Sequence, residues 1–137
     1  MDEQLIEAAL AVRDKAYAPY SHFLVGAALR TKNGCLFTGV NVENASYGLT
    51  ICAERAAIFQ AVAAGEREFS SMAIAVDAPL PAAPCGACRQ VMAEFGFEEI
   101  ILCTTDKQVK TFSLADLLPE AFVKENLPGG DRNEKNK

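Results

Sequence analysis

The apolar positions of the chain fall into two periods. Between residues 2 and 17, Leu5, Ala9, Val12 and Ala16 recur three or four apart, the spacing of one helix face. Asp2 stands where an N-cap belongs, and Pro19 marks a point by which the helix must have ended. Residues 23–31 and 35–42 are rich in Val, Leu, Ala, Phe and Thr and read as strands. Lys32-Asn33-Gly34 lies between them, and Asn-Gly is a strong hairpin signal. Residues 43–51, with Asn44, Ser46 and Gly48, read as a loop.

The second half alternates in the same way. Residues 52–64 predict a helix stopped by Gly65. Residues 69–77 predict a third strand. Pro79, Pro81 and Pro84 then forbid regular structure. Residues 85–95 predict a helix stopped by Gly96, 99–105 a fourth strand and 108–112 a fifth. Ser113 caps a short last helix, with Pro119 just beyond. This order predicts an α/β fold: a five-stranded mixed sheet covered by helices on both faces. The turn at Asp106-Lys107 is too short for a parallel crossover, so the last two strands should pair antiparallel.

Length and composition narrow the class. A chain of 137 residues without internal repeat reads as one domain. We place it at 1–127, followed by a mobile polar tail over 128–137. Half the residues are hydrophobic and 23% are charged, the balance of a globular protein. The net charge is −5, with Lys and Arg scattered, which argues against a nucleic-acid polymer as partner. No apolar run is long enough to span a bilayer, and the N-terminus does not resemble a signal peptide. A cytoplasmic location is expected. Five cysteines cannot form a complete set of disulfides, so metal-bound or free thiols in a reducing compartment fit better.

The candidate chemistry lies at two predicted helix starts: Cys52-Ala53-Glu54 and Pro84-Cys85-Gly86-Ala87-Cys88. Three thiols bind Zn²⁺ while leaving one position for water, whereas closed structural sites take four ligands. Helix N-termini favour negative charge and lower thiol pKa. Glu54, two residues past the first thiol, is a natural proton carrier. Arg55 and Arg89 each follow a ligand closely and could hydrogen-bond to sulfur. From Cys52 to Gly65, Glu54 and Arg55 are the only charged residues, so this helix should be largely buried, with both charges at its mouth. Taken singly, each feature has a plainer reading. Cys52 could be a small core residue, and Cys-x-x-Cys a redox or structural metal site. Cys35, Cys103 and the lone His22 read as structural.

Four collinear motifs then carry a resemblance. Pro19-Tyr20-Ser21-His22-Phe23-Leu24-Val25-Gly26-Ala27-Ala28-Leu29, Thr38 through Gly48, Cys52 through Ala57 and Pro84 through Gln90 resemble the cytidine deaminase family in its short three-cysteine form. The general zinc deaminase pattern has a Glu that is not a ligand acting as acid and base. The resemblance implies one Zn²⁺ per subunit on Cys52, Cys85 and Cys88. It implies Glu54 as the catalytic proton carrier and hydrolytic deamination of cytidine and deoxycytidine, a pyrimidine salvage reaction. It implies that Asn41 and Glu43, sharing one face, hold the ribose. Phe23 would stack on the base, with backbone N–H groups near Ala53 and the Cys85 loop holding it in register. Ala45 to Tyr47 and Phe122 would reach a neighbouring subunit's site, which implies a homotetramer with shared active sites. Two alternatives stay open: deamination of another aminated base or nucleoside analogue, and a structural-zinc or thiol-redox protein.

Overall fold

The computed structural model describes residues 2–128; the expected tail therefore falls, from Gly129 on, outside the described residues. A five-stranded sheet runs β2-β1-β3-β4-β5, with β1 at Val25–Thr31, β2 at Leu36–Val40, β3 at Phe69–Val76, β4 at Glu99–Thr104 and β5 at Val109–Phe112. Only the β3–β4 pair is parallel. The mixed sheet and the antiparallel last pair are both as expected from sequence.

Side-chain alternation divides the core in two. Ala28, Ala73, Ala75, Ile101 and Cys103 face helix α1 (Glu3–Arg13), which contributes Leu5, Ile6 and Ala9. Leu29, Met72, Ile74, Ile100 and Leu102 face α2 (Ala53–Ala63) and α3 (Gly86–Phe95). Alanines on the α1 side let that helix lie close. A Cβ on Gly26 of β1 would come within 2.2 Å of the Ala9 carbonyl oxygen. Gly39 of β2 plays the same part for α2, since a Cβ there would lie 2.3 Å from Ala57 N and 2.6 Å from Ala53 O.

Asp2 caps α1, its Oδ1 accepting from Leu5 N at 3.0 Å. The helix ends at Arg13, earlier than the apolar spacing to Ala16 suggested. Tyr17 N donates to Asn41 O and Glu43 N donates to Tyr17 O, so residues just past the helix are drawn into sheet-like pairing with the strand exit. The predicted loop 43–51 contains a 3-10 turn at Tyr47–Leu49, and Val42 pairs with Ile51. A short α4 (Leu114–Leu117) carries the Ser113 cap. Among the described residues, no helix is long and apolar enough to cross a membrane.

Candidate active site

Both helix starts open over the same end of the sheet. Cys52 is the N-cap of α2 and Cys85 that of α3, and neither side chain accepts a capping hydrogen bond from a backbone N–H of its helix. Cys88 lies one turn along α3 and is fully buried. The Sγ atoms of Cys52 and Cys85 are 3.8 Å apart, and those of Cys85 and Cys88 are 3.4 Å apart. All three sulfurs fall within 4.8 Å of one another. Tetrahedral zinc at Zn–S distances of about 2.3 Å requires sulfur separations of roughly 3.8 Å. The donor set therefore fits zinc in identity and in spacing. Among the described residues this is the one group of three or more His, Cys, Asp or Glu that could hold a metal. Cys35 is exposed in the hairpin, and Cys103 is buried on the α1 face, where burial pushes its thiol up to about 11.

Charge at the cluster is arranged for anionic sulfur. Arg55 Nη2 donates to Cys52 Sγ at 3.3 Å. A shared thiol proton from Cys88, then Arg55 and Cys85, bring Cys52 down to about 5, while Cys88 is pushed up as the proton-holding partner. The Arg55 Nε is buried with no hydrogen-bond partner. Arg89 differs from the sequence expectation. Its guanidinium is tied to backbone, Nε to Pro84 O and Nη1 to Leu117 O, both at 2.8 Å. It thus holds the segment entering Cys85.

Glu54 follows Cys52 into a cavity of about 280 Å³. It is 5% exposed, a carboxyl in an almost dry position. Burial first, and then the nearby Cys52 sulfur, raise it to about 7, against the pull of Arg55. Ser21, Phe23, Val25, Asn41, Glu43, Thr50, Cys52, Ala53, Ile74, Val76, Ala82 and Ala83 complete the lining. The structure therefore brings Phe23, Asn41, Glu43 and Ala53 to one cavity with Cys52 and Glu54. Ala45, Tyr47 and Phe122 do not line it within this chain and are exposed.

The two polar residues of the strand exit have partners the sequence did not disclose. Asn41 is buried; its Oδ1 accepts from Val25 N at 2.9 Å and its Nδ2 donates to Phe23 O at 2.8 Å. Glu43 accepts from Tyr20 N at 3.0 Å, from Ser21 N at 3.1 Å and from the Ser21 hydroxyl. That hydroxyl, ahead of the two amides, holds the Glu43 carboxyl below its usual range. Both side chains so fix the strand entry that presents Phe23. The apolar wall of Ala82 and Ala83 was not anticipated. Its only signal was the proline spacing, which marks a loop without saying where it lies. Helix α2 also departs from expectation: Ala57, Ile58 and Ala61 are buried, but Phe59 is 49% exposed, because none of the described residues covers its outer face.

Comparison with known proteins agrees with this geometry. Residues 1–104 match the profile of the cytidine and deoxycytidylate deaminase zinc-binding region. The chain is 49% identical to a cytidine deaminase of Halalkalibacterium halodurans over 94% of its own length and 93% of the relative's. It is 46% identical to one from Sporosarcina psychrophila over 91% and 93%. The crystal structure of cytidine deaminase from Burkholderia pseudomallei superposes with a TM-score of 0.85 at 55% identity, covering 89% of this chain and 99% of that one. Matches of this depth span both cysteine segments and the Asn41–Glu43 strand exit, and the chain belongs to the cytidine and deoxycytidylate deaminase family of zinc-binding enzymes.

Proposed function

We propose that this chain is a zinc-dependent cytidine deaminase, converting cytidine and deoxycytidine to uridine and deoxyuridine with release of ammonia. One observation carries the reading most: a buried carboxyl, Glu54, lines a nucleoside-sized cavity beside three converging thiols. Cys52, Cys85 and Cys88 hold the metal, one per subunit. Zinc, when bound, supplies the Lewis acidity that brings ionisation of water toward neutral pH.

Glu54 moves the protons. It accepts one from the attacking water and gives one to ring N3, which makes C4 electrophilic. Oxygen adds at C4 as a hydroxyl, Glu54 takes that hydroxyl's proton and delivers it to the amine, and the C4–N bond breaks to release ammonia and leave the C4 carbonyl. Burial pushes the Glu54 carboxyl upward, the direction that suits a group that both holds and releases a proton. Phe23 faces the base, the first-turn N–H groups at Ala53 and the Cys85 loop hold it in register, and Asn41 and Glu43 meet the ribose with the hydrogen-bonding capacity left over from the strand entry. Among the described residues the cavity lining has two carboxylates and no Lys or Arg. A nucleotide phosphate has no cation to meet there, which supports a nucleoside.

The wider setting extends the same reading. Residues 1–127 form one deaminase unit that acts in the cytoplasm in pyrimidine salvage, on a free nucleoside rather than a polymer. Four copies assemble, with Ala45 to Tyr47 and Phe122 of one subunit closing the site of another. Support comes from Tyr47, Leu49, Phe59 and Phe122, large apolar side chains left exposed by the single chain. The deciding assay is loss of cytidine absorbance with ammonia release, with and without a chelator. Glu54→Gln is expected to keep stoichiometric zinc and lose activity about a hundredfold or more. Undiminished turnover in that variant would exclude Glu54 as the proton carrier.

A further inference from the structure

The segment between β3 and α3 forms the Ala82–Ala83 wall and delivers Cys85. Among the described residues, none from Ala78 to Pro84 takes part in a backbone–backbone hydrogen bond. Three of these seven are proline and have no N–H to give. The segment is held instead by side chains from outside it. Thr105 Oγ1 donates to Asp77 Oδ1 at 3.0 Å at its start, and Arg89 Nε donates to Pro84 O at its end. Between these two, among the described residues, there is one side-chain tether, Gln108 Nε2 to Pro79 O at 2.8 Å.

Gln108 is itself aimed. Its Nε2 lies 3.2 Å from Asp106 Oδ2 and 3.4 Å from Asp106 Oδ1, and its backbone N donates to the buried Thr104 Oγ1 at 3.0 Å. The Thr104 hydroxyl in turn donates to Asp106. An acceptor-only carboxylate on one side fixes which end of the amide points at Pro79. The β4–β5 hairpin thereby reaches across to hold a wall of the cavity far from it in sequence.

We propose that Gln108 is a positioning residue for substrate binding, acting through the Pro79 carbonyl to keep the Ala82–Ala83 wall in its binding-competent place. The metal end of the segment is held separately by Arg89, so loss of the Gln108 tether leaves Cys85 where it is. The variant's wall then samples other positions, and apparent affinity falls by the fraction of time it is in place. Once substrate is bound the wall is the same, so the chemical step is unchanged.

This inference rests on the nucleoside deaminase reading, and its test separates the two. Gln108→Met keeps the length of the side chain and removes the donor. Zinc-loaded Gln108→Met is expected to show a KM for cytidine about threefold to tenfold higher, the worth of one neutral hydrogen bond. Its kcat and zinc content should match the unsubstituted protein's, and the NMR order parameters of the Ala82 and Ala83 methyl groups should fall. Gln108→Lys, which restores donors to Pro79 and Asp106, should bring KM back. An unchanged KM with unchanged methyl order parameters overturns the proposal, as does a fall in kcat and zinc content at constant KM. Failure of the unsubstituted protein to deaminate cytidine overturns the functional reading instead, and the methyl order parameters still decide whether Gln108 holds the wall.

Discussion

At the scale of single residues, the three thiols act as one unit: Cys85→Ala should abolish stoichiometric zinc and lower the melting temperature, since metal binding couples to folding. Two thiols one helical turn apart, with a third beside a carboxyl, could be read directly as a zinc ligand set. Asn41 and Glu43 could be placed on one face, but their partners could not be read. Spacing gives a direction, not the backbone N–H groups of Val25, Tyr20 and Ser21 that come to meet them. Arg55 and Arg89 looked equivalent in sequence and are not. Arg55 lies on sulfur, whereas Arg89 lies on carbonyls. The difference is testable. Arg55→Gln removes the cation that faces the Cys52 sulfur and should weaken zinc binding about tenfold or more, read by competition with a colorimetric chelator. Cys35→Ser, out in the hairpin, should change neither zinc content nor melting temperature.

Elements were predicted in type and order, and they differ mainly at their ends. The apolar spacing carried the first helix on toward Ala16, yet the chain leaves it at Arg13. Tyr17 pairs with the backbone at Asn41 and Glu43, a tertiary contact that no local pattern contains. The outer face of α2 shows the limit of composition in another way. An apolar helix can be covered by its own chain or by another, and residue types alone do not say which. Where two elements touch closely, a single methyl group becomes decisive. Gly39→Ala would put a carbon against the backbone at Ala53 and Ala57 and push α2 away from β2, displacing Cys52 and Glu54 together. We expect about 1–3 kcal/mol of lost stability and a drop in both zinc content and turnover. Wild-type melting and zinc content in that variant would show that the contact can relax.

For the whole molecule, sheet order was the part least readable from sequence. The β2-β1-β3-β4-β5 arrangement depends on which edges meet after collapse, and the strands themselves do not encode it. Among the contacts that fasten the N-terminal segment to this sheet is a polar knot: Asp2 caps α1 and pairs with Arg30 Nε at 2.6 Å, both side chains being mostly buried. The Arg30 hydrogen bond, ahead of the Leu5 amide, holds the Asp2 carboxyl below its usual 3.8. A carboxyl lowered in the folded state adds stability above its unfolded pKa and loses it as pH falls through the folded value. Asp2→Asn should therefore cost about 1 kcal/mol near pH 7. The gap in melting temperature should narrow below about pH 4, and a gap constant down to pH 2 would refute the pairing. The four-chain assembly proposed above has its test on the exposed face of α2: if Phe59 is buried between subunits, Phe59→Asp should give smaller species in sedimentation velocity and a higher KM. Finally, both helices that meet at the thiols begin without the oxygen-to-amide bond that Ser or Asp would provide, an omission worth about 1 kcal/mol each. The ion that enables the chemistry is then also the clasp on two otherwise loosely started helices. Cellular supply of that metal governs not only how many molecules are active but how many escape proteolysis, so scarcity would be felt as a shorter lifetime of the protein as well as slower turnover.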